Sequence, residues 1–118
     1  MLLSPKPILW RGDSLERLRD LPSDVRSEAG HQLELVQGGE NPKDFRPMPG
    51  VGLGAMEIRV HAANEYRVLQ VARFDDAIYV IHCFVKKTRT TRQANIELGR
   101  RRYRAMLEYR TAGQAKEE

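Results

Sequence analysis

The chain has 118 residues, of which 41% are hydrophobic and 31% are charged, proportions that fit one compact domain over residues 1–118. No apolar stretch approaches the roughly 20 residues needed to span a membrane, and Pro5, Lys6 and Pro7 interrupt the apolar N-terminus, so we expect a cytoplasmic protein without a signal peptide or membrane partner. The single cysteine, Cys83, excludes an intramolecular disulfide and a multi-cysteine metal site, and we expect neither a metal nor a cofactor.

The N-terminal third predicts one short strand followed by two helices. Residues 8–10 form an apolar run typical of a strand. Asp13 resembles the first residue of a capping box, three leucines follow it at helical spacing, and Pro22 ends this helix. Ser23 or Asp24 can cap a second helix. Its apolar residues recur at helical spacing and are Val25, Ala29, Leu33 and Val36.

Residues 38–54 predict a long connection, because they contain five of the nine glycines and three of the six prolines. Connections of this length are uncommon in compact domains and are often functional. Lys43, Phe45 and Arg46 lie within it, and for Phe45 we expect a packing role rather than stacking on a nucleobase.

The central part of the chain predicts three antiparallel strands, at residues 56–60, 66–71 and 78–85. The connections between them are too short for crossover helices. A C-terminal helix is predicted from about Thr90 to Arg110, and residues 111–118 resemble a frayed tail. The predicted fold is therefore α+β, with an N-terminal helical hairpin and a C-terminal helix packed on a small antiparallel sheet.

Strand pairing brings several basic side chains to one face of this sheet. If the first hairpin closes so that Val60 faces Tyr66, then Arg59 lies directly opposite Arg67, and an arginine in that position should add little stability. Glu57 on the same face is a candidate structural partner for Arg59. A turn at residues 75–76 places Arg67 opposite Phe84, which adds His82 and Lys86 to the same face.

Each of these residues also has a purely structural interpretation. Arg59 and Arg67 can form surface salt bridges with Glu57 and Glu65. His82 lies in an apolar strand, which favours a buried, hydrogen-bonded histidine over an acid or base. Cys83 is expected in the core.

Positive charge is concentrated in residues 86–104, which contain eight lysines and arginines and a single acid, although the whole chain carries a net charge of only +4. A solvated basic helix is the simpler explanation. The concentration against an otherwise acidic background favours a polyanionic partner such as nucleic acid. The basic residues that we single out for RNA binding are Arg89, Arg92, Arg100 and Arg104.

The order of three motifs resembles the Gp49-like branch of the HigB/RelE-type toxins of bacterial type II toxin–antitoxin systems. These toxins have a "YELR"-like strand, a "YRV" strand and an "F-x-K-K-T" strand end before a C-terminal helix. The matching segments here are residues 55–59, 66–69 and 82–88, and the likeness extends from about Trp10 to Arg104. The resemblance implies a RelE-like fold.

The resemblance also implies a metal-independent endoribonuclease that cleaves mRNA in the A site of the 70S ribosome and is neutralised by a cognate helix-turn-helix antitoxin. In such an enzyme the RNA 2′-hydroxyl attacks the adjacent phosphate. By motif, Arg67 would stabilise the scissile phosphate, Lys86 or Lys87 would assist phosphate or proton transfer, and Arg59 would be a supporting contact. The general base is left open among a lysine, a histidine and ribosome-assisted transfer.

Two other classes of function fit the same basic face. A noncatalytic nucleic-acid-binding or phage-derived interaction protein would use it to bind without cleavage. A protein inhibitor or scaffold would use it to bind an acidic partner.

Overall fold

A computed structural model describes the backbone of residues 5–117 and the side chains of these residues except 89–91 and 114–117. The predicted α+β class is confirmed. The elements in chain order are β1 (Ile8–Trp10), α1 (Ser14–Arg19), α2 (Ser23–Gln37), β2 (Phe45–Pro47), β3 (Ala55–His61), β4 (Glu65–Val71), β5 (Ile78–Lys86) and α3 (Arg89–Glu117).

The five strands form one sheet in the order β1-β5-β4-β3-β2. The three central strands pair antiparallel, as their short connections predict. Two features were not predicted. β1 joins the edge of β5 in parallel, and β2, a short strand inside the long glycine-rich connection, pairs antiparallel with β3. The long chain between β1 and β5 allows the parallel return.

The helices cover opposite faces of the sheet. The predicted apolar side of α2 is buried against one face, where Ala29 and Leu33 belong to the same core cluster as Ile58 and Val68. The other face packs under α3, and its core includes Tyr103 and other apolar side chains. Both faces of the sheet are therefore buried over much of their area, and polar side chains lie at the ends of the strands.

A β-bulge in β5 decides which side chains face α3. The register holds as predicted at Arg67 opposite Phe84, and it shifts between Leu69 and Gln70. Ile81 is the extra residue of the bulge, so that two consecutive residues, Ile81 and His82, both face α3. On either side of them the alternation continues, which places Tyr79 and Phe84 on the α3 side as well. The continuous register that the turn at residues 75–76 predicts is therefore wrong beyond Leu69.

Three sequence-based boundaries are corrected by the structure. Asp13 precedes α1 but makes no side-chain capping bond, because its carboxylate binds arginines instead. Helix α2 already begins at Ser23, so that neither Ser23 nor Asp24 is its capping residue. Helix α3 continues past Arg110 to Glu117, and the residues expected to fray are helical as far as Glu117. Within residues 5–117, none of the helices combines the length and the apolar character that a membrane span requires.

Candidate functional site

The α3 side of the sheet carries polar residues in cross-strand rows at one end. His61, Glu65 and Lys86 are consecutive cross-strand partners in β3, β4 and β5, and form the outermost row. Arg59 and Arg67 form the next row, directly opposite each other as the sequence predicts. Cross-strand partners share a face, so these side chains meet on one surface.

Glu57 lies at the centre of this surface and is surrounded by arginines. Its side chain is only 1% exposed, and its two carboxylate oxygens lie 3.7 Å from Nε of Arg59, 3.7 Å from Nε of Arg67 and 3.5 Å from Nη2 of Arg92. One carboxylate therefore balances three guanidinium groups. We call Glu57 and these three arginines the arginine cluster.

Arg67 is the most buried member of the arginine cluster after Glu57. Its side chain is 5% exposed, and Nη1 donates hydrogen bonds to Glu65 Oε1 at 3.1 Å and to the Tyr66 carbonyl oxygen at 2.9 Å. Removal of one partner from a buried ion pair is costly, because it leaves the other charge without compensation. The expectation that Arg67 adds little stability assumed that it faces only Arg59, whereas the structure pairs it with Glu57 and Glu65 as well.

Arg59 and Arg92 extend the arginine cluster towards solvent, since each side chain is partly exposed. The backbone amide of Arg59 donates to the carbonyl oxygen of Asp44, which connects β3 to the segment before β2. Arg92 reaches Glu57 from the first turns of α3 and also contacts the sulfur of Met48. Arg92, which the sequence separates from the strand arginines, thus lies in the same site.

Lys86 is the last residue of β5 and Lys87 follows it, beside the arginine cluster, and both are exposed. Lys86 is the cross-strand partner of Glu65, the carboxylate that binds Arg67. The two lysines add positive charge at the edge of the site, where solvent and a polyanion can reach it. The side chain of Arg89 lies outside the described residues.

Arg100 and Arg104 lie further along α3 and do not join the arginine cluster. At 1.5 Å per helical residue they are about 12 and 18 Å from Arg92 along the helix axis. Arg100 donates to the Gly50 carbonyl oxygen at 2.8 Å and pairs with Glu97, whereas Arg104 is exposed. The basic segment is therefore divided between the site and a surface that leads away from it.

His82 and Cys83 are structural, as their apolar strand predicts. His82 is buried, with Nε2 at 2.5 Å from Asn95 Oδ1 and Nδ1 at 3.4 Å from Nη1 of Arg102, and its ring stacks on Phe84. Burial is the main cause that lowers the pKa of His82, so the ring is neutral at pH 7. Burial also raises the pKa of the Cys83 thiol to about 12, which keeps it protonated.

A second histidine, His61, lies at the rim of the arginine cluster, and the sequence analysis did not identify it as a candidate site residue. Its Nε2 is 2.5 Å from Asp44 Oδ2, and its Nδ1 is 2.7 Å from Glu65 Oε1. The hydrogen bond to Asp44 is the largest cause that raises the pKa of His61, and the bond to Glu65 adds to it. The sequence signal for this pair is the spacing of His61 and Glu65, which flank a three-residue hairpin loop.

The side chains that the structure describes include no group of three or more His, Cys, Asp or Glu arranged to hold a metal ion. A family model described as "Phage derived protein Gp49-like" matches residues 16–104. This range contains the arginine cluster, the lysines that end β5 and the first half of α3. Among the curated proteins and the solved structures compared with the chain, none matches it significantly.

Proposed function

Because the chain belongs to the family of phage-derived Gp49-like proteins, which is associated with RelE/HigB-like toxins, we propose that it is the toxin of a type II toxin–antitoxin pair. Its proposed activity is that of a HigB-type, ribosome-dependent mRNA endoribonuclease that needs no metal. Its proposed partners are mRNA in the ribosomal A site, which it cleaves to inhibit translation, and a helix-turn-helix antitoxin.

The observation that carries this proposal is the arginine cluster beside Lys86 and Lys87. Attack of a 2′-hydroxyl on a phosphodiester concentrates negative charge on the phosphoryl oxygens in the transition state. Fixed cationic groups in a partly dry site stabilise that charge without having to reorganise. Three guanidinium groups that share one carboxylate retain a net positive charge at the surface where the lysines end β5.

The cationic side chains differ in exposure, and we infer different roles for them in binding the phosphate. Arg59 and Arg92 are exposed enough to contact the phosphate directly, and Lys86 and Lys87 approach it from the end of β5. Arg67 lies beneath them with its side chain 5% exposed, so its charge would act on the phosphate through space rather than by direct contact. In the cleavage step the 2′-oxygen bonds to phosphorus and the bond to the 5′-oxygen breaks, which leaves a 2′,3′-cyclic phosphate and a 5′-hydroxyl.

The proposal is tested by expressing the protein in bacteria and mapping mRNA ends by primer extension. We expect growth arrest and new mRNA ends that form only on translated messages. In a purified translation system, cleavage should persist after EDTA is added, provided that enough free Mg²⁺ remains to keep the ribosomes intact. Unbroken transcripts after induction would contradict the proposed activity, and cleavage of naked RNA that EDTA abolishes would contradict its mechanism.

Substitutions locate the site. Arg59→Ala should lower the cleavage rate roughly 10²-fold, the usual effect of removing one preorganised group that stabilises transition-state charge. Arg26→Ala is the matched control, because Arg26 is an exposed arginine on α2, on the other face of the sheet. Equal losses in the two variants would show that the arginine cluster has no specific role.

A noncatalytic RNA-binding protein is the second candidate function. The burial of Arg67 favours it, because a guanidinium that is only 5% exposed offers little surface to a phosphate. In that case the protein would bind RNA in a salt-dependent manner and would leave ribosome-bound messages intact.

A further inference from the structure

A continuous chain of hydrogen bonds connects the arginine cluster to an exposed histidine. Arg67 Nη1 donates to Glu65 Oε1, the same oxygen lies 2.7 Å from His61 Nδ1, and His61 Nε2 lies 2.5 Å from Asp44 Oδ2. Both ring nitrogens therefore face carboxylates. Since a neutral imidazole has only one N–H, the ring can donate to both carboxylates only as the imidazolium.

His61 also occupies a position that suits proton transfer. His61, Glu65 and Lys86 lie side by side on three neighbouring strands, with Glu65 in the middle. Because neighbouring strands are about 4.8 Å apart, His61 and Lys86 lie roughly 10 Å from each other on either side of Glu65. The His61 side chain is 53% exposed and lines a cleft of about 590 Å³ that α2 and the segment before β2 form with the end of β3. Arg59 belongs both to this cleft and to the arginine cluster, so a phosphodiester that binds Arg59 can come within reach of the His61 ring.

The charged groups around His61 come from every neighbouring element. The hydrogen bonds to Asp44 and Glu65 raise the pKa of His61, in that order, and they outweigh the opposing effect of burial. The other charged groups near the ring or its cleft are Asp24 and Glu28 from α2, Lys43 from the segment before β2, Arg59 from β3, Arg67 from β4 and Lys86 from β5.

We propose that His61 is the general acid of the cleavage reaction, with Glu65 as the proton acceptor and Asp44 as the residue that holds the ring in place. This inference rests on the proposed endoribonuclease function. It names a general acid and a general base for the cleavage step, two roles that the arginines and lysines of the site do not by themselves identify.

The proposed step conserves protons. The 2′-hydroxyl gives its proton to the Glu65 carboxylate, the 2′-oxygen bonds to phosphorus, and the bond between phosphorus and the 5′-oxygen breaks. The 5′-oxygen takes the proton from Nδ1 of the His61 imidazolium. Protonated Glu65 then returns a proton to neutral His61 across their hydrogen bond, which restores both groups.

The experiment compares cleavage of ribosome-bound mRNA by wild type, His61→Gln and His31→Gln under single-turnover conditions. His31 is exposed on α2 and serves as the matched control. We expect His61→Gln to lose 10²-fold or more in rate, as is usual for loss of a general acid, and His31→Gln to retain the wild-type rate. Thermal melting of each variant checks that it is folded.

A modified substrate separates a general acid from a structural role. If sulfur replaces the 5′-bridging oxygen at the cleavage site, the leaving thiolate needs no proton, and the rate ratio of wild type to His61→Gln should fall close to 1. A ratio that stays the same on both substrates would overturn the assignment of His61 as the acid.

The pH profile gives a second, independent readout. An imidazolium acid makes the rate fall as pH rises through the pKa of His61. Asp44→Asn removes the largest cause that raises this pKa, so its fall should begin at lower pH, and in His61→Gln this limb should disappear. An unchanged limb in His61→Gln would exclude His61 while leaving the endoribonuclease function in place, whereas absence of cleavage by wild type would overturn both.

Discussion

Glu57 shows how a single residue can make a basic site compatible with a folded protein. Arg59 and Arg67 face each other across β3 and β4, an arrangement that like charges disfavour. The carboxylate of Glu57 lies within 3.7 Å of both guanidinium groups and is buried beneath them. Cross-strand repulsion is thereby offset inside the protein, and the arginines remain on one surface.

We expect Glu57→Gln to destabilise the protein by about 3–5 kcal/mol, because it leaves the buried charge of Arg67 without its central partner. Urea unfolding measures this loss. Glu97→Gln is the control and should change stability by less than about 1 kcal/mol, since Glu97 is 70% exposed and pairs with Arg100 on the surface. Similar midpoints for the two variants would contradict a structural role for Glu57.

Asp13 has a different role from the capping one predicted for it. Its Oδ2 accepts from Arg17 at 3.0 Å, and its Oδ1 accepts from Arg102 on α3, a residue that also donates to the Ile81 carbonyl oxygen. These two arginines, with Arg17 first, lower the pKa of Asp13 from 3.8 to about 2. Asp13 therefore ties the start of α1 to α3 through a charge pair.

A carboxyl group whose pKa is lowered by folding stabilises the protein above its unfolded pKa, and this contribution is lost as pH falls through the folded pKa. We expect Asp13→Asn to melt below wild type at pH 7, with a difference that shrinks between pH 4 and pH 2. The effect should be less than about 1 kcal/mol, because the side chain is 36% exposed and water screens the pair. A difference in melting temperature independent of pH would contradict this account.

At the scale of elements, α3 is held in place by the glycine-rich segment before β3. The Tyr103 hydroxyl donates to the Leu53 carbonyl oxygen at 2.8 Å, and Arg100 binds the Gly50 carbonyl oxygen. A Cβ atom on Gly52 would lie 2.4 Å from the Tyr103 ring, so only glycine permits this approach. The long connection thus positions the helix that supplies Arg92.

We expect Gly52→Ala to lower stability by about 1–3 kcal/mol, because the Tyr103 ring must move out of a packed site. Gly30→Ala is the matched control. Gly30 lies inside α2, and apart from its adjacent residues and the helix's own backbone no atom lies within 4 Å of an added Cβ, so alanine should raise stability by up to about 1 kcal/mol. Thermal unfolding of both variants tests the pair, and a neutral Gly52→Ala would contradict the tight contact.

At the scale of the whole molecule, the sheet separates two surfaces that a partner could cover. Helix α2 lies on one face, and the arginine cluster with α3 lies on the other. An antitoxin with acidic side chains would be attracted to the second surface, because complementary charge speeds association. A partner bound at the helical hairpin could instead block entry to the ribosome without touching the site.

We expect hydrogen exchange to show that the partner covers the surface of the arginine cluster and α3 rather than the helical hairpin. In complex with the proposed antitoxin, the protein should gain protection within residues 86–104, with smaller changes elsewhere. The free protein measured in the same buffer is the reference. Protection confined to residues 13–37 would contradict masking of the basic face and would leave the proposed toxin function intact.

The sequence alone determined the parts of this protein that depend on local periodicity. Alternation of apolar and polar residues and a short hairpin are enough to place Arg59 opposite Arg67, since the register follows from the turn. Helical spacing likewise identified the buried side of α2. Motif order indicated the Gp49-like family, and the family model confirms that membership.

Only the tertiary structure decided the contacts between residues that are far apart in the chain. The packing of α3 across the sheet brings Arg92 to Glu57 and Arg102 to Asp13. The strand that forms in the glycine-rich connection brings the neighbouring Asp44 within hydrogen-bonding distance of His61. No local pattern encodes such distances, because they arise from how whole elements pack, and packing also determines which charges are buried and which remain free to bind.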